Sequence, residues 1–441
     1  MEGGSSSRVR MEMGSLRHLV PWFIAGLAFA FLMASRDNQA DFLAFYKAAV
    51  ALAHGHNPYP RLGSPQVYDG SSYVYPVWVA TAMTPLTLLT PFAAAKLWVA
   101  LSFGAYAASF RFMGMASGPA LFLAGLATPV IVSLQMGTLT PFLVLGVAVA
   151  WHWRDSPAVA AAAVALAGTS KLYLLALLVF FAATRRYKAF LLSLAFSAAL
   201  LGAGFLIGPI DAIEYARLLL SLSKHESVQG WSSSAILAPL AGVGLARLVP
   251  QLAAIAAALG MVRVRHRDPS DSRAFAGAVS IALLATPILW SSYLPLLLPI
   301  LFAAGAPLAA LGAAAAFSWI LTTPDRAGAA LDAVSMALLA ALGAFALFGP
   351  GSAEHQRALH NSTRALATQL RASMTASKRA WAIIAFGAVA EAAVAAIHPA
   401  LLPAIAAQDL VLASIAYALA PSVRTDSARR APDLAQIRPS E

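Results

Sequence analysis

The chain has 441 residues, 60% of them hydrophobic and only 11% charged, with a formal net charge of +11 and a mean hydropathy of +0.72. Residues 112–153 and 274–324 hold no Asp, Glu, Lys or Arg at all. That composition excludes a string of soluble domains and predicts an all-α polytopic membrane protein, because a spanning helix needs roughly 20 apolar residues and lipid-facing backbone has to satisfy its own hydrogen bonds.

The basic surplus sits in short connections and tails, as expected where Lys and Arg mark cytoplasmic loops, so it calls for no nucleic-acid partner. With no cysteine, disulfides, a thiol nucleophile and cysteine metal sites are excluded. Residues 1–18 form a polar, basic lead whose Arg8, Arg10 and Arg17 place the N-terminus inside. The apolar run 19–34 shows no small-residue cleavage site and reads as a retained span. It delivers residues 35–76 to the outer face, and these gather Asp37, Asp41, Lys47, His54, His56, Arg61 and Asp69 in an otherwise apolar chain.

Arg111, Arg154 and the Arg185-Arg186-Tyr187-Lys188 run are three further inside markers, so the apolar segments between them have to come in out-and-back pairs. They do if residues 75–91 stay in the first outer loop, and Pro76, Pro85 and Pro91 argue for that reading, because interior proline breaks a helix. A crossing of 75–91 would instead turn Arg111 and Arg154 outward and leave Lys171 in mid-bilayer. Expected spans are 93–111, 119–134, 138–153, two short legs at 158–169 and 172–184, and then 189–207. Residues 208–234 read as a second polar outer loop. Spans near 245–262 and 275–290 follow, then a hairpin over 294–321 and a span at 331–348. In 349–379, Arg357, Arg364, Arg371 and Lys378 recur every seventh residue, which predicts a cytoplasmic amphipathic helix on anionic headgroups. A hairpin over 380–421 precedes a cytoplasmic tail, 422–441. The total is roughly twelve to fourteen spans, with residues 19–348 as the catalytic region and 35–92 and 208–234 as its outer loops.

This topology puts five polar islands on one side: 37–75, 134–140, 170–171, 208–234 and 290–293. Ionisable groups at a membrane are costly and point to function by default. Asp41 opens an amphipathic run in which Phe42, Phe45, Ala49 and Leu52 fall at helical spacing, as in a helix lying in the interface. An acid in a first turn is a catalytic candidate, yet it can equally serve the helix dipole as a cap. Asp37 competes with it and reads as solvated. Lys171 stands alone between the charge-free runs 156–170 and 172–184. It suits an anion at the floor of a cavity, or it snorkels to the interface. His225 and Glu226 either touch a sugar or phosphate or are solvated. His54 and His56 lack a third ligand at metal spacing and read as a turn. No metal and no cofactor is expected, and no nucleotide motif occurs.

Asp41-Phe42 with Tyr46, Ala48 and Ala49, then Gly55-His56-Asn57-Pro58-Tyr59, then Tyr73-Val74-Tyr75-Pro76 resemble the polyprenol-phosphate-mannose-dependent glycosyltransferases of family 87, which have the GT-C membrane fold. Their later Gly-Gln turn corresponds only loosely to Gln135-Met136-Gly137-Thr138, and a small-residue run ends on Lys171. The resemblance covers about residues 19–300. It implies transfer of a hexose, mannose in that family, from a polyprenyl-phosphate donor to a lipid or glycan acceptor, on the outer face and with inversion. Asp41 would be the general base, Lys171 and His225 would bind the donor phosphate, and Tyr46, Tyr59, Tyr75 and Gln135 would bind substrate. The rival expectation is a transporter or lipid flippase, which calls for matched broken helices and polar groups at scattered depths. No sequence repeat between halves supports it.

Overall fold

The structure, a computed structural model, describes residues 39–68, 72–114, 124–125, 127–227, 230–267, 270–303, 315, 318 and 402–419. The expected first span, Asp37, the spans at 331–348 and 381–397 and the amphipathic stretch 349–379 lie outside these residues. Among them the fold is helical throughout, with no strand.

The chain enters on α1 (Ala40–Ala53), which buries Phe42, Phe45, Ala48 and Ala49. These apolar residues pack into protein, against Trp98 and the tyrosines of 73–75, so α1 is a core element and not a helix resting its apolar face on headgroups. A 3-10 turn (Pro65–Tyr68) and α2 (Val77–Met83) follow, and at Pro85 the chain tightens into a second 3-10 turn (Thr84–Leu88). The 7 residues of α2 and the 5 of that turn fall short of the roughly 20 that a crossing requires.

Among the described residues three helices are long and apolar enough to cross a membrane: α3 (Pro91–Phe112), α8 (Tyr187–Ile207) and α10 (Ser233–Arg267). Between them run α4 (Thr128–Gln135), α5 (Thr140–His152), α6 (Pro157–Ser170), a 3-10 turn (Leu172–Leu177) and α7 (Leu178–Ala183). Helices α5 and α6 have 13 and 14 residues, or about 20 Å each, shorter than a roughly 30 Å hydrocarbon layer.

The expected outer loop, 208–234, is helical over much of its length. It carries α9 (Ala212–Glu226), which buries Tyr215, Leu218, Leu222 and Ser223 on one face. Asp211 caps it by accepting from the Ile213 and Glu214 N–H groups. The most enclosed element is α11 (Asp271–Ala285), buried from Ala274 to Leu284. It packs against α10, α7, α12 (Leu297–Ala303) and α13 (Leu402–Leu419). Gly277 makes this packing possible, because a Cβ there would meet Ala418 Cβ at 2.4 Å and Met261 Sδ at 2.5 Å.

The inside markers of the sequence collect at one end of the bundle. Arg186 donates to Asp271 through both terminal nitrogens at 2.8 Å, and to Asp155 at 2.8 Å. Arg154 donates to Asp271 at 3.0 Å. Arg185 donates to the His266 carbonyl at 2.7 Å, and the His152 ring lies against the Phe112 carbonyl beside Arg111. The connections after α3, α5, α7 and α10 therefore meet there, and the polar islands lie at their opposite ends.

Candidate active site

All five polar islands contribute side chains to one cavity of about 580 Å³, a size suited to a small molecule or sugar head. Asp41 and Tyr75 come from the first island, Met136 from the second, Ser170 and Lys171 from the third, Tyr215 and Glu226 from the fourth, and Trp290, Ser291, Ser292 and Tyr293 from the fifth.

The start of α1 is held by the turn after α4. The backbone N–H groups of Asp41 and Phe42 both donate to the Met136 carbonyl, at 3.1 and 3.4 Å. Gln39 Nε2 donates to the Leu134 and Gln135 carbonyls at 3.2 and 3.0 Å, and Trp98 Nε1 donates to the Gly137 carbonyl at 2.9 Å. Gly137 has φ +66°, and a Cβ there would stand 2.6 Å from both Gln39 Oε1 and Phe42 Cβ. No side chain caps α1. Since a carbonyl from far along the chain satisfies the first-turn N–H groups, the Asp41 carboxylate is not spent as a cap and lines the cavity instead. Burial pushes its pKa above the ordinary carboxylate value, with the charge of Lys171 pulling the other way.

Lys171 follows the last residue of α6, where the helix dipole favours a cation. Its Nζ donates to the Tyr293 hydroxyl at 2.7 Å and lies 4.2 Å from the Tyr75 ring centroid and 4.7 Å from that of Tyr293. No ion pair within 4.0 Å joins it to Asp41; the pairs among the described residues lie at the far end of the bundle. The Tyr173 hydroxyl, also at the cavity, is buried without a hydrogen-bond partner. Glu226, at the end of α9, is a second carboxylate in the same space. Burial raises its pKa, the charges of Lys171 and His225 lower it, and that of Asp41 raises it again.

The other expected site residues stand outside the lining. Tyr46 donates to the Leu89 carbonyl at 2.8 Å and Tyr59 to the Tyr75 carbonyl at 2.7 Å, so both position their neighbours. Gln135 contributes its carbonyl to the Gln39 clamp. His225 stacks on Tyr68, with ring centroids 4.4 Å apart. Asn57 ties the first polar segment to the start of α9 through the Pro209 carbonyl, at 3.3 Å. Sequence reasoning left Tyr173 and Tyr293 unranked and passed over Arg247 and Gln251 of α10, which also line the cavity. A signal for Arg247 existed: it is the one charged residue in 227–262, the same isolation that singled out Lys171.

A bundle of long apolar helices around a partly open cavity that gathers Asp41, Lys171 and Glu226 defines an all-α polytopic membrane protein with a candidate small-molecule site. The family model of glycosyltransferase family 87 matches residues 73–287, just under half of the chain, and that match indicates a membrane glycosyltransferase. The match takes in Tyr75, Gln135, Lys171, His225, Glu226 and Arg247, and it begins after Asp41, Tyr46 and Tyr59. No curated protein and no solved structure matches the chain.

Proposed function

We propose that this glycosyltransferase moves a hexose, mannose by resemblance, from a polyprenyl-phosphate donor to a lipid or glycan acceptor at the outer face of the cell membrane, in a GT-C type of arrangement. One observation carries the reading: a half-buried carboxylate that caps nothing, Asp41, shares a sugar-sized cavity with the cation Lys171. In the reaction the Asp41 carboxylate accepts the proton of the acceptor hydroxyl as its oxygen attacks the anomeric carbon. The bond from that carbon to the phosphate oxygen breaks, the electron pair leaves with the polyprenyl phosphate, and attack from the opposite face inverts the centre. Lys171, pre-placed by Tyr293 and Tyr75, offsets the charge growing on the departing phosphate.

A flippase or transporter reading is favoured by polar groups at scattered depths. The gathering of all five islands into one cavity speaks for the transferase. Asp41→Asn keeps the size of the side chain and removes the base. In membranes supplied with labelled lipid-linked sugar, transfer should fall by about 10²–10⁴-fold; a rate near wild type removes Asp41 from the mechanism.

A further inference from the structure

Arg247 is the second cation of the cavity, and its surroundings differ from those of Lys171. It sits on α10 a short way past Gly242, whose φ of 74° and ψ of 158° break the helix. Its neighbours Leu245, Leu248, Val249 and Leu252 are 45–57% exposed, so this part of α10 presents an apolar surface outward while Arg247 lines the cavity. The Arg247 Nε is buried and has no hydrogen-bond partner. No acid lies within ion-pair distance of the guanidinium among the described residues. A permanently charged side chain in an apolar helix is expensive unless something anionic answers it. Lys171 already spends one donor on Tyr293, whereas the fork of Arg247 is shaped for two parallel bonds to phosphate oxygens.

We propose that Arg247 grips the phosphate of a lipid-linked substrate where the cavity meets the apolar surface of α10, with the hydrocarbon chain lying along Leu245, Leu248 and Leu252. Gln251, one helical turn further on and also at the cavity, stands beside the same anion. The proposal rests on the polyprenyl-phosphate reading above and adds a specificity determinant to it: Arg247 selects a phosphate that carries a long apolar chain.

The test measures equilibrium binding to the full-length protein in nanodiscs, with labelled polyprenyl phosphate, the matching polyprenol and inorganic phosphate as probes. Wild type should prefer the lipid phosphate to the alcohol and take inorganic phosphate weakly. Arg247→Gln should weaken polyprenyl-phosphate binding by about tenfold or more while leaving polyprenol binding unchanged. Arg247→Lys should fall between the two, because a point charge cannot form the fork, and it decides the matter if Arg247→Gln does not fold. Lipid-phosphate binding undiminished in both Arg247 variants overturns the proposal, as does a loss seen with inorganic phosphate alone. A wild-type protein that does not distinguish polyprenyl phosphate from polyprenol overturns the donor class itself, an outcome separate from the failure of Arg247 alone.

Discussion

A carboxylate that works as a base has to be ionised in a place that disfavours its charge, and Asp41 is in that position. Burial raises its pKa and Lys171 restrains the rise. In the proposed mechanism deprotonated Asp41 is the active form, so transfer should fall as pH drops through a pKa above the ordinary carboxylate value of about 4. Lys171→Met removes the charge that favours the carboxylate, so the pKa rises further. The acidic limb of the pH–rate profile should therefore move to higher pH, beyond any loss in maximal rate. A limb that stays in place would mean that the two groups do not sense one another. From sequence, Asp41 as cap and Asp41 as base were indistinguishable, because the difference lies in where the α1 N–H groups go. They go to Met136, a contact no local pattern reveals. Lys171 was legible because it interrupts charge-free sequence. Tyr293 and Tyr173 were not, since a tyrosine in an aromatic-rich chain looks the same whether it packs or faces a ligand.

At the scale of elements, the turn between α4 and α5 has the largest leverage on chemistry without touching substrate. Gly137 is needed twice over, for its positive φ and for the approach of Gln39 and Phe42 to its α-carbon. Gly137→Ala should push the start of α1 away, costing about 1–3 kcal/mol of stability through overpacking and lowering kcat by displacing Asp41. Thermal unfolding in detergent and transfer rate should fall together; a variant with wild-type kcat would separate the turn from the site. The resemblance pointed to Gln135 in this turn as a substrate contact, and the structure shows its carbonyl in the Gln39 clamp. In the expected outer loop 208–234 the sequence left a helix unrecognised. Its charged residues hid Tyr215, Leu218 and Leu222 at helical spacing behind the cap Asp211, and polarity outweighed periodicity. Helices α3 and α8, with 22 and 21 residues and no charge beyond Lys96, Arg111 and Lys188, left no such ambiguity.

Across the whole molecule, charge sorts into two ends with different chemistry. One end closes on an ion-pair network in which Asp271 answers Arg154 and Arg186. The other opens a cavity whose two acids face two cations without direct pairing. The concentration of Lys and Arg in the connections at the paired end fits a cytoplasmic placement of that end, and the proposed function calls for a cavity that faces outward. The absence of cysteine makes this orientation directly measurable, since any introduced thiol is the only one. Lys224 is exposed near the cavity end of α9, and Lys188 is exposed beside the ion-pair network. A membrane-impermeant maleimide added to intact cells should label Lys224→Cys, and should label Lys188→Cys only after permeabilisation. The reverse pattern would put the cavity in the cytoplasm and remove the outer-face assignment, while leaving the shared cavity of Asp41 and Lys171 intact. Labelling of both without permeabilisation would mean that the two ends are not on opposite sides, and the out-and-back pairing of α4 with α5 and of α6 with α7 would fall with it.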